Sequence, residues 1–253
     1  MNVLILAAGY ATRLYPLTLN KAKPLLEVAG KPMIEWVLGN LSPVPDIDMI
    51  YVVTNNKFAK DFQAWADEYQ RGHPHQTLRI VNDGSTDDAD KLGAIGDINL
   101  VLLRENLARD DLIVVAGDNL FSEPLTEFAA RAQGTEALLA TYDVGDLEAI
   151  KKYSAITLDD EGVITSFEEK PANPKSTLTG IALYYFSRDT IPLFSTYISA
   201  GNNPDQPGRF IQWLYPRKRV KTFQITGTWY DIGSKETLEE ANRIFQQFRY
   251  RLL

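Results

Sequence analysis

The chain has 253 residues, 45% hydrophobic and 23% charged, enough to bury roughly 70–75% of its unfolded surface without covalent staples. It has no cysteine and only two histidines, His73 and His75, which excludes disulfides, thiolate metal sites and thiol nucleophiles and argues against a zinc-histidine centre or a Ser-His-Asp triad. Twenty-six Lys and Arg against 33 Asp and Glu give a net charge of -7, which argues against nucleic acid or an anionic membrane as partner; no apolar run reaches membrane-spanning length. The apolar start lacks a basic leader and Val3 to Ala8 is short for an export signal, so a cytoplasmic enzyme is expected.

Val3-Leu4-Ile5-Leu6-Ala7-Ala8 is a continuous apolar run closed by Gly9, the pattern of a strand covered on both faces. Pro32 opens a predicted helix over 33–41, with Ile34, Val37, Leu38 and Leu41 on one stripe. Residues 49–54 read as a second buried strand. Phe58, Phe62, Trp65, Ala66 and Tyr69 follow helical spacing. A short strand over 78–81, a helix over 94–107 and a strand over 111–116 continue the alternation, which implies right-handed crossovers and a doubly wound sheet. After about residue 137 strand-like runs dominate (137–143, 154–158, 163–168, 179–186, 219–226), so antiparallel or edge strands are expected beside the parallel ones. A helix over about 235–250, with Leu238, Ala241, Ile244, Phe245 and Phe248 on one face, closes the chain. With no linker or repeat, one mixed α/β domain is expected.

Four segments carry candidate chemistry. The turn Gly9-Tyr10-Ala11-Thr12-Arg13-Leu14, with Pro16, Thr18 and Lys23-Pro24 behind it, leaves the edge where parallel sheets bind nucleotides. Free backbone N–H groups there, with Arg13 and Lys23, suit a polyphosphate; the plainer alternative is a tight turn with solvated cations. Asp118, directly after a buried strand, suits Mg²⁺ or, equally simply, caps a turn. Asp231, in Trp229-Tyr230-Asp231-Ile232-Gly233-Ser234, is either a second metal carboxylate or a turn residue before a helix with Ser234 as N-cap. Glu169 and Lys170, in Phe167-Glu168-Glu169-Lys170-Pro171, place an acceptor for sugar hydroxyls beside a cation for phosphate, or are a charged strand end. Residues 83–88 have a faint likeness to a calcium loop, but Asp88 and Ala94 stand where Gly and Glu are needed. The basic run 216–221 reads as a solvated strand entry. Trp36, Trp65 and Trp213 read as core or interface residues.

In this order the motifs resemble the sugar-1-phosphate nucleotidyltransferase family, with the closest likeness to glucose-1-phosphate thymidylyltransferases. The motifs are Leu6-Ala7-Ala8-Gly9, Thr12-Arg13-Leu14, Lys23-Pro24-Leu25-Leu26, Gly30-Lys31-Pro32-Met33-Ile34, Gly117-Asp118-Asn119-Leu120-Phe121, Glu169-Lys170-Pro171 and Trp229-Tyr230-Asp231-Ile232-Gly233. The resemblance implies a Rossmann-like nucleotidyltransferase fold with a mixed, mostly parallel sheet flanked by helices. It also implies a nucleotide-binding half over about 1–135 and a sugar-phosphate-binding half over about 136–253.

The implied reaction is Mg²⁺-dependent attack of a sugar 1-phosphate on the α-phosphorus of a nucleoside triphosphate, dTTP or UTP, releasing pyrophosphate. By the same resemblance Asp118 and Asp231 match the metal ligands. Arg13 and Lys23 match the residues that steady the triphosphate, and Lys170 the lysine on the sugar phosphate. Ala8, Gly9, Thr12, Asn82 and Gly93 match nucleotide contacts, and Tyr153 and Glu169 sugar contacts. The likeness also suggests a homo-oligomer. Three departures stand out: Ala11 replaces a glycine of the family's turn, Tyr153-Ser154 stands where the family often has Tyr-Gly near the sugar, and Asn82 to Asp97 replaces its usual base-reading segment. That segment keeps open a cytidylyltransferase for a phosphorylated polyol or choline. A catalytically silent sugar-nucleotide-binding regulator is the alternative from another class, although a binding module needs no metal pair.

Overall fold

The computed structural model describes residues 1–248. In chain order, β1 (Asn2–Leu6) leads through two 3-10 turns (Thr12–Leu14 and Lys23–Leu25) to a small hairpin, β2 (Glu27–Val28) and β3 (Lys31–Pro32). Then α1 (Met33–Leu41), β4 (Ile50–Thr54), α2 (Ala59–Gly72), β5 (Leu78–Asn82), α3 (Ala94–Arg104) and β6 (Leu112–Ala116) alternate. They are followed by β7 (Asn119–Phe121), α4 (Thr126–Ala132), β8 (Ala137–Asp143), β9 (Ser154–Leu158), β10 (Ile164–Glu169) and β11 (Leu178–Phe186). The last elements are α5 (Leu193–Ser199), α6 (Pro207–Leu214), β12 (Val220–Gln224), β13 (Trp229–Asp231) and α7 (Lys235–Phe245).

The strand order β12-β8-β11-β6-β1-β4-β5 makes a seven-stranded mixed sheet. The pairs β1–β4, β4–β5 and β8–β12 are parallel, and β11 runs antiparallel to β8. Helix boundaries follow local chemistry. Where the hydrophobic pattern predicts a helix to residue 107, α3 stops at Arg104 because Asn106 turns left-handed (φ 58°), and Leu107 N–H bonds back to Leu102 O at 3.0 Å. The closing helix starts at the expected N-cap: Ser234 Oγ accepts from Thr237 N–H, and Thr237 Oγ1 accepts from Ser234 N–H. The last two residues of the expected helix lie outside the described residues.

The described chain forms two compact units whose segments alternate in sequence. One comprises residues 1–93, 115–126 and those from 227 onward; the other comprises 94–114 and 127–226. In the first unit α7 returns beside the start of the chain. Its Phe245 meets Trp36 of α1 edge-on at 5.1 Å, both without solvent exposure, and Leu14, Val28, Met33, Leu120 and Ile232 complete that core. Trp36 Nε1 donates to Val28 O at 2.9 Å, so its polar end is satisfied. In the second unit Phe194 and Phe210 stack at 3.9 Å against Phe186. The basic run before β12 is not simply solvated: Lys218 and Arg219 pair with Glu136 and Glu161.

Candidate active site

The first unit gathers the candidate phosphate and metal residues. At the end of β1 the carbonyl of Ala8 accepts from Asn55 Nδ2 at 2.9 Å, and Gly9 is exposed. Ala11 adopts the left-handed conformation (φ 47°, ψ 43°) and opens the 3-10 turn in which Thr12 and Arg13 face solvent while Leu14 is buried. The residue that departs from the family's glycine therefore sits where glycine is at ease and alanine is not.

Lys23, from the second 3-10 turn, reaches two carboxylates. Its Nζ lies 2.5 Å from Asp118 Oδ2 and 3.9 Å from Asp231 Oδ1. Two short strands make this possible: β13 pairs antiparallel with β7, setting Asp231 opposite Asn119, the residue after Asp118. Gly117 supplies the close approach. Its N–H bonds to Leu6 O at 2.9 Å, and a Cβ there would stand 3.1–3.2 Å from Ile5 Cγ2, Leu6 O and Pro24 Cβ.

Burial and the negative charge of Asp118 raise the Asp231 pKa above its usual value, against the lowering influence of Lys23 and Arg13. With 49% of the Asp231 side chain still meeting solvent, screening limits that shift. Two carboxylates and two cations thus share one electrostatic site. Among the described residues no group of three or more His, Asp or Glu is placed to hold a metal. A cation here would take these two carboxylates and fill its remaining positions with substrate phosphate oxygens and water, which is how Mg²⁺ is ordinarily held.

Asn82 is on the same unit but is tied within its own surroundings: Nδ2 donates to Asn56 Oδ1 at 2.8 Å and Oδ1 accepts from Gly84 N–H at 2.9 Å. Gly93 is buried and left-handed (φ 77°). The sugar-phosphate candidates belong to the second unit, where the β9–β10 hairpin brings them together. Glu169 pairs with Ser154, and Lys170 N–H donates to Tyr153 O at 2.9 Å. Lys170 itself is left-handed (φ 47°), and Tyr153, Glu169 and Lys170 are all exposed.

Several structural contributors lie outside the candidates that the sequence singles out. Asn55, fully buried, fixes Ala8; the signal available was a polar amide directly after a buried strand, the same kind of signal that marks Asp118. Tyr10 Oη lies 3.2 Å from Ser85 Oγ, which donates to Asp83, so the turn after β1 is joined to the loop after β5. Tyr184 lies in the second unit, where burial and, after it, the charge of Glu169 push its phenol pKa up. The residues of the faint calcium motif bond to one another and to their own loop: Asp90 caps the N–H groups of Thr86 and Asp87.

The family described as nucleotidyl transferase matches residues 2–247. The bifunctional protein GlmU of Methanocaldococcus jannaschii is 27% identical over 96% of this chain and 54% of its own length. A glucose-1-phosphate thymidylyltransferase of Streptomyces griseus is 28% identical over 96% of this chain and 66% of its own. The chain thus spans about half to two thirds of the length of these relatives. Among solved structures, a candidate glucose-1-phosphate thymidylyltransferase of Bacillus anthracis, in complex with sucrose, superposes with a TM-score of 0.78 at 23% identity. That superposition covers 97% of this chain and 95% of the other, and at this identity it speaks for the fold. Among the described residues no helix is long and apolar enough to cross a membrane.

Proposed function

The chain belongs to the nucleotidyl transferase family, and on that premise we propose that it transfers a nucleotidyl group from dTTP or UTP to a sugar 1-phosphate such as glucose 1-phosphate, giving a nucleotide sugar and pyrophosphate. The observation that carries this reading is Lys23 standing between Asp118 and Asp231 with Arg13 in the same field. Joining two phosphates of like charge calls for cations and fixed geometry more than for an acid or base. A chain with two histidines can supply that.

In this reading Asp118 and Asp231 hold Mg²⁺, which when bound neutralises charge on the transferring phosphoryl group. Arg13 and Lys23 bind the triphosphate oxygens and stabilise the charge that builds on the leaving pyrophosphate. The turn over Ala8, Gly9 and Thr12 offers backbone N–H groups, with Asn82 and Gly93 beside the base. Lys170 orients the sugar phosphate as nucleophile, and Glu169 and Tyr153 orient the sugar.

The test is pyrophosphate release from the purified chain with Mg²⁺, glucose 1-phosphate and, separately, dTTP, UTP, CTP, GTP and ATP. Release with dTTP or UTP is expected. Release with CTP alone would move the assignment to a cytidylyltransferase, the alternative that the altered Asn82 to Asp97 segment keeps open. Silence with all five nucleotides across a panel of sugar and polyol phosphates would sink the enzyme reading.

A further inference from the structure

We propose that Thr18 is a positioning residue for the triphosphate: its hydroxyl holds the Ala11 carbonyl and thereby keeps the turn that presents Thr12 and Arg13. The inference rests on the nucleotidyl transfer proposed above. Thr18 is 1% exposed, and its Oγ1 donates to Ala11 O at 2.8 Å. The same carbonyl accepts Leu14 N–H at 3.0 Å, the bond that closes the 3-10 turn. Ala11 is left-handed, a conformation that crowds any residue with a Cβ. Something must hold it there.

The loop that follows offers little else. Tyr15, Leu17 and Leu19 point outward and are 42–46% exposed, so they do not pin residues 15–20 by burial. Leu17 N–H to Leu14 O and Leu19 N–H to Pro16 O are bonds within the loop itself. Thr18 is the inward member, and it bonds back across seven residues to the strained position. Both candidate phosphate cations, Arg13 and Lys23, flank this loop, so a slack turn would misplace Arg13 first.

The test compares Thr18→Val, Thr18→Ser, Ala11→Gly and the double variant Thr18→Val/Ala11→Gly. Loss of one neutral hydrogen bond leaves the ordered turn less populated in the free protein, and bound triphosphate selects it again, so Thr18→Val should raise KM for the nucleoside triphosphate about five- to tenfold with kcat at saturation changed less than about twofold. Thr18→Ser keeps the hydroxyl and should match the parent. Glycine accepts the left-handed conformation unaided, so Ala11→Gly in the Thr18→Val background should recover most of the lost affinity. A merely structural role predicts a lower melting temperature with KM unchanged and no rescue, and that result overturns the proposal.

Calorimetric binding of pyrophosphate separates this failure from that of the proposed reaction. If the parent turns nothing over yet binds pyrophosphate, with Thr18→Val weaker and the double variant restored, the positioning role stands and the reaction does not. If the parent binds no pyrophosphate, both fall.

Discussion

Nζ of Lys23 lies 2.5 Å from Oδ2 of Asp118, with 13% of the lysine side chain and 24% of the aspartate side chain reached by solvent. A pair this sheltered is sensitive to loss of one member, because the other is left as an uncompensated charge. Asp118→Asn keeps the shape while removing the charge. It should lower pyrophosphate release on the order of 10³-fold, with a far-UV circular dichroism spectrum like that of the parent. A silent sugar-nucleotide-binding relative would show no turnover in the parent for the substitution to remove.

Asp231 makes a pH prediction. Burial and the neighbouring Asp118 raise its folded-state pKa above the ordinary 3.8, so its ionised form weakens the folded state. That penalty is fully present above the raised pKa and disappears as pH falls toward the unfolded value, because the folded chain takes up the proton first. Asp231→Asn should therefore melt about 1–3 °C higher than the parent at pH 7 while losing turnover. The gap should narrow as pH is lowered toward 4. Melting curves of both proteins from pH 4 to 8 check this, and a gap that stays constant over that range would rule out the electrostatic account.

Lys170 poses a trade between stability and activity. A left-handed lysine at the exposed end of β10 carries backbone strain that glycine would not. Lys170→Gly should leave the melting temperature unchanged or raise it by about 1–3 °C, the relief being partly offset by the larger entropy of the unfolded glycine chain. KM for the sugar phosphate should rise at least about tenfold through loss of a charge-assisted contact. A fall in stability with unchanged KM would mean that the strained lysine serves the fold and not the substrate.

The long periodic elements were legible because burial writes itself into spacing. β8 and β9 run over the residues their strand-like runs predict, and α1 begins directly after Pro32. Short elements were legible only in part. Trp229 and Tyr230 mark a short aromatic strand before Asp231, and β13 is found there, but β7 and β13 have three residues each and their pairing depends on partners more than a hundred residues apart in sequence. That pairing is what brings Asp231 toward Asp118 and Lys23, so taken singly each of these residues reads as an ordinary turn or cap. That Asp118 shares a sheet edge with Arg13 and Lys23 follows from buried parallel strands; that Asp231 joins them was suggested only by the order of motifs along the chain. Helices α5 and α6, of seven and eight residues, are similarly short, and their aromatic side chains serve a cluster that sequence spacing does not reveal. Nor does residue type announce the left-handed backbone of Ala11 and Lys170, since both side chains ordinarily avoid it.

Gly117 ties the fold to the site most directly. Its φ is one that any residue can adopt, so the demand for glycine is steric: an added methyl would press on Ile5 Cγ2, Leu6 O and Pro24 Cβ at 3.1–3.2 Å. Leu6 O cannot retreat, because it accepts the N–H of Gly117 itself. The strain must then be relieved through Pro24 or the Gly117 backbone, and the neighbours of those two are Lys23 and Asp118. Gly117→Ala should lower stability by about 1–3 kcal/mol, and the shift of Lys23 against Asp118 should lower kcat about 10–100-fold. Gly9→Ala, in the turn after β1, is the control for stability, since a methyl there meets nothing within 4 Å and the melting temperature should hardly move. Thermal melts and pyrophosphate release on the two variants decide the matter. Equal stability of both proteins would show that the contact at Gly117 is easily relaxed. A destabilised Gly117→Ala with full kcat would show that Pro24 gives way without disturbing Lys23.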